Sequence, residues 1–360
     1  MSRVLFLVNH EVVIYNFRLE IVERLLSDGH TVIVSSPYGQ KIEELKKLGC
    51  EYREIDINRH GMNPLKEYKL IGIYKKLIDE VKPDIVFSYT VKPNIYGSIA
   101  CRKKNIPIVC NITGLGTAVE NGGIKQKIIL TLYRYAFTDV KTVFFQNCEN
   151  MSFFVNHRIA LGKHKLLPGS GVNLDRYPLL EYPQDTSTVH FLFIGRLMKD
   201  KGIDELLYAA KRLKENGEKC IVDLVGWNDG EYQEIIEKAV NEKIVEYHGE
   251  QKDVIPFLAQ ASCVVLPSYH EGMANVMLEA SSCGRPVITT NVHGCKETFD
   301  EGITGLGCEA KNSESLYQTM KAFLNLTIEE RKTMGLAARK KMEQEFDRQI
   351  VVKAYCNELV

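Results

Sequence analysis

CVVLPSYHEGMANVMLEASSC, residues 263–283, contains the most informative pattern in the chain. Its first four residues are an apolar run that predicts a buried strand, and residues 274–283 lack proline and glycine and predict a helix. The order is therefore strand, glycine-containing turn, helix. Such a turn points free backbone N–H groups at the helix start, where an anion can bind. Glu271 lies in the turn, and Glu279 lies about two helical turns further on.

A site in which an anion lies between two carboxylates suits a ligand with phosphate in its middle and hydroxyl groups at both ends. Helix N–H groups can bind the phosphate, while the carboxylates accept hydrogen bonds from the hydroxyl groups. A sugar nucleotide has this layout, because its diphosphate joins a ribose to a hexose. The pattern therefore predicts a sugar-nucleotide site at the carboxyl end of a strand.

Short apolar runs alternate with helical patterns along the whole chain. Such runs are typical of parallel strands that are buried on both faces, and the alternation predicts right-handed βαβ units. The fold class is therefore α/β, with two Rossmann-like, doubly wound parallel-sheet domains. The predicted strands are residues 4–8, 31–35, 85–88, 108–111, 143–146, 190–194, 220–225, 244–248, 263–266 and 287–290.

Length and turn chemistry predict where the domains divide. A chain of 360 residues exceeds the size at which a single core stops growing, about 250–300 residues. Turn-rich stretches at 168–173 and 182–187 indicate a linker. We predict an N-terminal domain over residues 1–176 and a C-terminal domain over residues 177–344.

The C-terminal region has its own helix signals. Thr327 and Glu330 form a capping-box pattern at its start, and we expect the helical region to break near Phe346-Asp347. The last helix, about 345–360, is expected to pack back on the N-terminal domain.

Charge restricts the class of partner. The formal net charge is zero, yet residues 1–180 carry 25 Lys and Arg against 17 Asp and Glu, and residues 181–360 carry 21 against 29. This asymmetry is equally consistent with scattered surface charge and with an anionic partner of the first half, such as a membrane surface or a diphosphate. No nucleic-acid-binding motif accompanies the charge, so nucleic acid is not an expected partner.

The cysteines and apolar segments indicate a cytosolic protein. None of the ten cysteines has CxxC or metal-ligand spacing, which favours reduced thiols. The N-terminal apolar run is too short for a signal peptide, and no run reaches the ~18 apolar residues of a membrane span. Any membrane contact is therefore expected to be peripheral.

A basic loop follows the predicted strand at residues 190–194. Gly195 permits a tight turn, Arg196 can fork onto a phosphate, and Lys201 adds a second positive charge. Two fixed cations can neutralise a diphosphate leaving group without a metal, although a solvated basic loop has the same composition. The nearby pattern of Glu271 and Glu279 favours the phosphate interpretation.

Three motifs in this order resemble the retaining family-4 glycosyltransferases of the GT-B fold. They are Gly195-Arg196…Lys199-Asp-Lys201-Gly202, Glu271-x7-Glu279 and Gly284-Arg-Pro-Val-Ile288. The resemblance covers most of the chain and implies two domains that face a central cleft. It also implies transfer of a sugar from a nucleotide donor with retention, and without a metal or another cofactor.

The resemblance implies a role for each residue of these motifs. Arg196 and Lys201 would bind the donor diphosphate. Glu271 would bind a hydroxyl of the transferred sugar, and Glu279 would bind the ribose. The candidate catalytic residues are Glu271, Arg196 and Lys201. The other candidate donor-binding residues are Gly195, His270, Gly272, Met273, Ala274, Asn275 and Val276.

The first half carries a second signature. Tyr89-Thr-Val-Lys-Pro-Asn-Ile-Tyr-Gly97 and Asn111-Ile-Thr-Gly-Leu-Gly116 are similar to bacterial polysaccharide transferases that act on undecaprenyl-diphosphate-linked sugars, among them N-acetylgalactosaminyltransferases. Many family members have a histidine at the end of the fourth strand, where this chain has Asn111 and Thr113. The similarity implies an acceptor or sugar near Asn16, Lys92, Asn111, Thr113 and Gly114.

Residues 123–137 are both basic and apolar. The stretch fits an amphipathic helix that packs on the core, and it also fits a membrane-surface helix that reaches a lipid-linked acceptor. The second interpretation would place the protein at the cytoplasmic face of the inner membrane.

The expected function is metal-independent, retaining transfer of a hexose or N-acetylhexosamine from a nucleotide sugar, with UDP as the expected nucleotide. The expected acceptor is a lipid-linked saccharide in capsule, O-antigen or exopolysaccharide assembly. A GT-B-fold sugar-nucleotide epimerase and a transferase with a soluble acceptor remain alternatives, whereas the intact charged site argues against a non-catalytic carbohydrate-binding protein. A dinucleotide oxidoreductase is disfavoured, because Asn9-His10-Glu11 after the first strand is not a GxGxxG loop.

Overall fold

Buried strands and the helices that follow them build two units along the chain. The computed structural model describes residues 1–57, 64–115, 123–184, 188–228 and 230–359, with the backbone alone for residues 64–66. The first unit comprises Met1–Ser170 and Gln349–Val360, and the second comprises Gly171–Arg348. The structure thus divides the chain after residues 170 and 348, where the sequence pattern suggested 176 and 344.

The strands of the first unit are β1 (Arg3–Leu7), β2 (Thr31–Ser36), β3 (Glu51–Glu54), β4 (Ile85–Tyr89), β5 (Ile108–Ile112), β6 (Thr142–Phe145) and β7 (His164–Leu166). They form a parallel sheet in the order β3-β2-β1-β4-β5-β6-β7. Strands β4 and β5 are buried at every position, as expected for central strands covered on both faces.

The helices of the first unit are α1 (Val12–Phe17), α2 (Leu19–Ser27), α3 (Ile42–Lys47), α4 (Pro64–Val81), α5 (Ser98–Lys104), α6 (Gly123–Ala136) and α7 (Cys148–Asn156). Alternate residues of β1 enter different apolar clusters, because successive strand side chains point to opposite faces. Leu5 joins residues of α4, α5, α6 and α7, whereas Val4 joins residues of α1, α2 and α3.

The strands of the second unit are β8 (Val189–Ile194), β9 (Cys220–Val225), β10 (Glu246–Tyr247), β11 (Cys263–Leu266), β12 (Val287–Thr290) and β13 (Gly305–Cys308). They form a parallel sheet in the order β10-β9-β8-β11-β12-β13. The helices that follow these strands are α8 (Ile203–Glu215), α9 (Gln233–Asn241), α10 (Ile255–Gln260), α11 (Asn275–Ser282), α12 (Ser313–Leu324) and α13 (Ile328–Lys341).

The predicted fold class is confirmed by these two parallel sheets, and every strand predicted from the sequence is present. The sequence missed β3, β7 and β13, which are all edge strands. An edge strand has one neighbour and is less buried, so its sequence lacks the apolar run of a central strand.

The C-terminal helix signals are also confirmed. Thr327 accepts a hydrogen bond from the Glu330 N–H, and Glu330 accepts one from the Thr327 N–H, which completes the capping box of α13. The helix gives way to a π-helical turn, Met342–Phe346, before α14 (Arg348–Cys356) begins. Residues from Gln349 onward belong to the first unit, where Tyr355 packs on Phe87 with ring centroids 4.9 Å apart.

Candidate functional site

One group of candidate residues lies at the carboxyl edge of the second sheet. Strands β8, β11 and β12 are neighbours, so the loops that follow them begin side by side. These loops are residues 195–202, 267–274 and 291–295. The sheet order thereby gathers the basic loop and the Glu271 turn at one edge of this unit.

Lys201 and Glu271 form an ion pair across 70 positions of sequence. Their side chains keep 22% and 14% of their exposure, so the pair is largely shielded from water. Gly202 permits the close approach of the two loops, because its φ is +74° and a Cβ there would lie 2.1 Å from the Pro267 carbonyl oxygen. The pair combines a cation that can bind phosphate with a carboxylate that can accept from a hydroxyl.

The Glu271 turn is held on both sides by hydrogen bonds. The Ser268 hydroxyl donates to the Asp200 carbonyl oxygen over 3.0 Å, and the Ala274 N–H donates to the Gly294 carbonyl oxygen over 2.7 Å. Gly294 lies so close to the turn, at a φ of +84°, that a Cβ there would be 2.2 Å from the Glu271 carbonyl oxygen. The position of Glu271 is therefore set by two other loops of the unit.

The start of α11 offers two kinds of polar group. Ala274 and Asn275 already use their N–H groups, since the Asn275 N–H donates to the Met273 carbonyl oxygen. Among the residues that the structure describes, nothing accepts from the N–H groups of Met273 and Val276. The Asn275 side-chain oxygen is buried, and within the same described ranges it accepts no hydrogen bond. These groups suit an anionic ligand with a donor near Asn275.

Glu279 lies within α11, among polar groups from other parts of the second unit. Burial raises the pKa of its carboxyl to about 7, against the opposing effects of a hydrogen bond from Tyr177 and the charges of Arg176 and Arg348. Both the ionised and the protonated form of this carboxyl can accept a hydrogen bond from a ligand hydroxyl. No sequence signal singled out Tyr177, because nothing local connects it with Glu279.

The other donor-site candidates differ in exposure. Arg196 and His270 are exposed, and over the described part of the chain Arg196 forms no ion pair. Gly195 donates its N–H to the Val225 carbonyl oxygen, which continues the pairing of β8 with β9. Gly272 is half-buried. The structure therefore brings Lys201 and Glu271 into contact and leaves Arg196 and His270 at the surface.

A second group of candidates lies at the carboxyl edge of the first sheet, where β1, β4 and β5 are neighbours. After β4, Lys92 forms a 2.6 Å ion pair with Glu67 of α4, and the two side chains keep 16% and 12% of their exposure. The second carboxylate oxygen of Glu67 is buried without a partner among the described residues. The sequence pattern identified Lys92 but missed Glu67, which lies 25 positions away.

The backbone after β4 is also unusual. Thr90 has a φ of +69°, which is uncommon for a β-branched residue, and a π-helical turn covers Pro93–Gly97. Strained residues and π-turns are frequent at functional sites. These features support a binding role for the segment that carries Lys92.

Asn111 faces the interior of the first unit. It is 2% exposed, its amide donates to the Ser88 carbonyl oxygen over 3.2 Å, and its side-chain oxygen accepts from the Tyr355 hydroxyl. The Asn111 side chain is thus hydrogen-bonded to Tyr355 of the last helix, α14, which lies outside the motif at residues 111–116. Thr113 and Gly114 are half-buried and Asn16 is exposed, while Gly116 lies outside the described residues.

Comparison with known proteins agrees with this arrangement. The family model for glycosyl transferases group 1 matches residues 181–341, and the glycosyl transferase 4-like model matches residues 3–147. Each unit of the chain therefore matches a glycosyltransferase family model, the 4-like model in the first unit and the group 1 model in the second.

Two curated relatives span most of the chain. N,N'-diacetylbacillosaminyl-diphospho-undecaprenol alpha-1,3-N-acetylgalactosaminyltransferase of Campylobacter jejuni is 25% identical over 98% of this chain and 97% of its own length. The capsular polysaccharide biosynthesis glycosyltransferase CapM of Staphylococcus aureus is 25% identical over 86% of this chain and 85% of its own.

A solved structure shows the same fold. Anabaena Alr3699/HepE in complex with UDP and glucose matches with a TM-score of 0.80 and 17% identity, over 100% of this chain and 99% of that one. The GT-B fold expected from the sequence is confirmed by this likeness.

Helix α6 presents apolar and basic residues at its surface. Ile124 is 78% exposed and Ile128 is 49% exposed, and Lys125 and Lys127 lie exposed beside them. Its inner face, which includes Leu130, packs on the core. Of the helices that the structure describes, none is both long enough and apolar enough to span a membrane.

Proposed function

We propose that this glycosyltransferase moves a hexose or N-acetylhexosamine from a UDP-sugar to an undecaprenyl-diphosphate-linked saccharide, with retention at the anomeric carbon and without a metal. The observation that carries the proposal is the shielded contact between Lys201 and Glu271 beside the start of α11. Lys201 supplies a cation, Glu271 supplies a carboxylate, and the start of α11 supplies N–H groups. A sugar diphosphate requires these three kinds of group within one small region.

The donor would be bound by groups on both sides of its diphosphate. Lys201 and Arg196 bind the phosphates together with the N–H groups of Met273 and Val276. Glu271 accepts from a hydroxyl of the transferred sugar. Glu279 accepts hydrogen bonds from the ribose hydroxyls. This role is favoured by its location on α11, the helix that also carries Val276.

Transfer would proceed by attack of an acceptor hydroxyl on the anomeric carbon, on the face from which the diphosphate leaves. The bond from the anomeric carbon to the diphosphate oxygen breaks, and its electron pair remains on UDP. The acceptor hydroxyl loses its proton to that same oxygen. Lys201 and Arg196 stabilise the negative charge that develops on this leaving-group oxygen. A metal ion can have the same role in other enzymes.

The acceptor would be recognised through its own diphosphate. Lys92 provides a cation at the carboxyl edge of the first sheet, and Glu67 fixes the position of that cation. The Campylobacter jejuni relative acts on a diphospho-undecaprenol-linked sugar by its name, and it matches nearly the full chain. An acceptor of the same class is therefore proposed here, in assembly of a surface polysaccharide.

A lipid-linked acceptor requires access to a membrane. The exposed face of α6 combines Ile124 and Ile128 with Lys125 and Lys127, which suits the surface of an anionic bilayer. We therefore place the protein at the cytoplasmic face of the inner membrane as a peripheral enzyme.

The test is an acceptor-dependent assay. Purified protein is incubated with UDP-glucose, UDP-galactose and their N-acetylated forms, each with and without an undecaprenyl-diphosphate-linked saccharide. We expect one donor to release UDP when the lipid-linked acceptor is present, and NMR of the product to show the anomeric configuration of the donor. Interconversion of sugar nucleotides without UDP release would instead identify an epimerase. Transfer to free saccharide alone would identify a soluble-acceptor enzyme.

A further inference from the structure

A cluster of metal-ligating side chains lies on the edge of the second sheet, outside the donor residues. Asp223 of β9 and Glu246 of β10 are directly opposite each other in the parallel register. His248 follows Glu246 by two residues, so its side chain points to the same face of the sheet. One ligand atom from each of these three residues lies within 4.8 Å of the other two.

We propose that Asp223, Glu246 and His248 bind a divalent transition-metal ion, with zinc as the preferred ion, and that this ion fastens the edge strand β10 to β9. The His248 Nε2 is 2.8 Å from an Asp223 oxygen. Ligand atoms bound to one zinc ion at about 2.0–2.2 Å are roughly 3.4 Å apart in a tetrahedral site, so a small outward movement admits the ion. Water completes the coordination on the exposed side.

The surroundings of Asp223 favour a ligand role. Its second oxygen accepts from the His190 Nδ1 at 3.0 Å, so one oxygen is held in place while the other faces His248. A carboxylate whose orientation is already fixed by a neighbouring hydrogen bond is prepared for a cation.

His248 is also held in position. Its ring lies against Phe257 of α10, with centroids 5.0 Å apart, and its backbone N–H donates to the Leu224 carbonyl oxygen. The imidazole keeps 29% of its exposure, so an ion can reach it from solvent. An aromatic wall on one side and a carboxylate on the other leave the ring little freedom to turn.

A metal ion at this site would relieve the repulsion between two carboxylates that stand opposite each other in the sheet. Strand β10 has two residues, and one of them, Glu246, stands opposite Asp223. Two carboxylates directly across from each other weaken a strand pair, and a cation between them converts this repulsion into attraction. The choice of zinc follows from the ligands, because imidazole suits transition metals whereas magnesium prefers oxygen and water.

The experiment measures zinc binding to the metal-stripped full-length protein by calorimetry and follows thermal unfolding in parallel. We expect one zinc ion per chain, a higher unfolding midpoint with zinc, and no effect of magnesium. Glu246→Gln is the decisive variant, because Glu246 is exposed and its replacement leaves the core untouched. This change should weaken zinc binding at least tenfold and abolish the shift of the midpoint.

Two further variants separate the site from adventitious binding. His190→Gln should weaken zinc about tenfold, because loss of an outer hydrogen bond to a ligand typically costs 10–100-fold in metal affinity. The control pairs His293→Gln with Glu297→Gln, which removes another close His–Glu pair of this unit, 3.2 Å apart, and should leave zinc affinity unchanged. Equal zinc affinity in wild type and Glu246→Gln, or no zinc binding at all, would overturn the proposal. Neither readout depends on glycosyl transfer.

Discussion

At the residue scale, two of the proposed substrate contacts come from side chains that a neighbouring side chain holds in place, whereas Arg196 is exposed. Glu271 contacts Lys201, and Lys92 contacts Glu67. In each case a group proposed to touch a substrate has its position set by another part of the same unit. Such preorganisation is what makes polar groups effective against developing charge.

Replacing Glu271 by alanine is expected to lower turnover by about 10²–10³-fold, the usual cost of removing one preorganised polar contact in a transition state. The fold should survive, because Glu271 lies in a turn. Steady-state transfer assays and circular dichroism melting test both statements. Glu234→Ala, which removes an exposed carboxylate from α9, is the matched control. Near wild-type turnover in the Glu271 variant would exclude a role in sugar binding.

Glu279 is expected to make stability depend on pH. Its carboxyl keeps its proton up to about pH 7 in the folded protein, whereas its ordinary pKa is 4.5. Between these values the folded state binds more protons than the unfolded state, so the free energy of unfolding falls as pH rises. Urea unfolding of wild type and Glu279→Gln at intervals from pH 4 to 8 measures the difference. Parallel curves for the two proteins would contradict the raised pKa.

Lys92→Met is expected to raise the acceptor KM at least tenfold and leave the donor KM unchanged, because the proposed phosphate contact belongs to the acceptor alone. Glu67→Gln should act in the same direction with a smaller effect, since it loosens Lys92 without removing the cation. Lys69→Met changes an exposed lysine of α4 and serves as the control. A rise in the donor KM instead would show that Lys92 contacts the donor and not the acceptor.

At the scale of elements, helix α6 packs on the core with one face, and its other face is the one proposed to contact a membrane. Its inner residues Ile129, Leu130 and Tyr133 belong to the core, so the amphipathic interpretation of the sequence is correct for that face. Its outer face nevertheless leaves large apolar side chains exposed beside lysines. One helix can therefore serve the core and a membrane surface at once.

Binding to anionic liposomes is expected for the wild-type protein and should weaken as salt rises, because exposed charge is screened over about 8–10 Å at 0.1–0.15 M salt. Replacing Lys125 and Lys127 by glutamate should weaken binding, since each basic residue near an anionic surface contributes about 1 kcal/mol. Sedimentation with phosphatidylserine vesicles measures the fraction of protein that is bound.

The control for this experiment makes the same change of charge in the second unit, with Lys211→Glu and Lys238→Glu on α8 and α9. Both lysines are more than half exposed. Nucleotide affinity should be unchanged in the α6 variant. Wild-type protein that stays in the supernatant at low salt would show that the outer face of α6 is an ordinary surface.

At the scale of the whole molecule, the two units have the same construction. Each is a parallel sheet with its candidate residues in loops after neighbouring strands, β1, β4 and β5 in the first and β8, β11 and β12 in the second. Chemistry at the carboxyl edge of a sheet is the general behaviour of open α/β folds. The proposed division of labour assigns the acceptor to the first unit and the donor to the second.

Transfer activity is expected to survive EDTA, because Lys201, Arg196 and helix N–H groups are proposed to neutralise the diphosphate. Chelation should nonetheless lower the thermal midpoint if zinc occupies the site at Asp223. Measuring initial rates and melting curves on the same EDTA-treated sample separates the two effects. Complete loss of transfer that magnesium or manganese restores would contradict the proposed mechanism.

Local sequence was enough to predict the alternation of strands and helices, the central strands of both sheets and the turn that carries Glu271. These features are local, since apolar periodicity and turn residues act over a few positions. The edge strands β3, β7 and β13 escaped prediction because an element that is buried on one side needs no apolar run.

Local sequence could not predict which distant residues come into contact. Lys201 contacts Glu271 because β8 and β11 are adjacent in the sheet, although β9 and β10 lie between them in the sequence. Asn111 is engaged inside the first unit because the last helix returns to it and places Tyr355 there. Contacts of this kind depend on strand order and on the return of a distant segment, and a linear pattern contains neither.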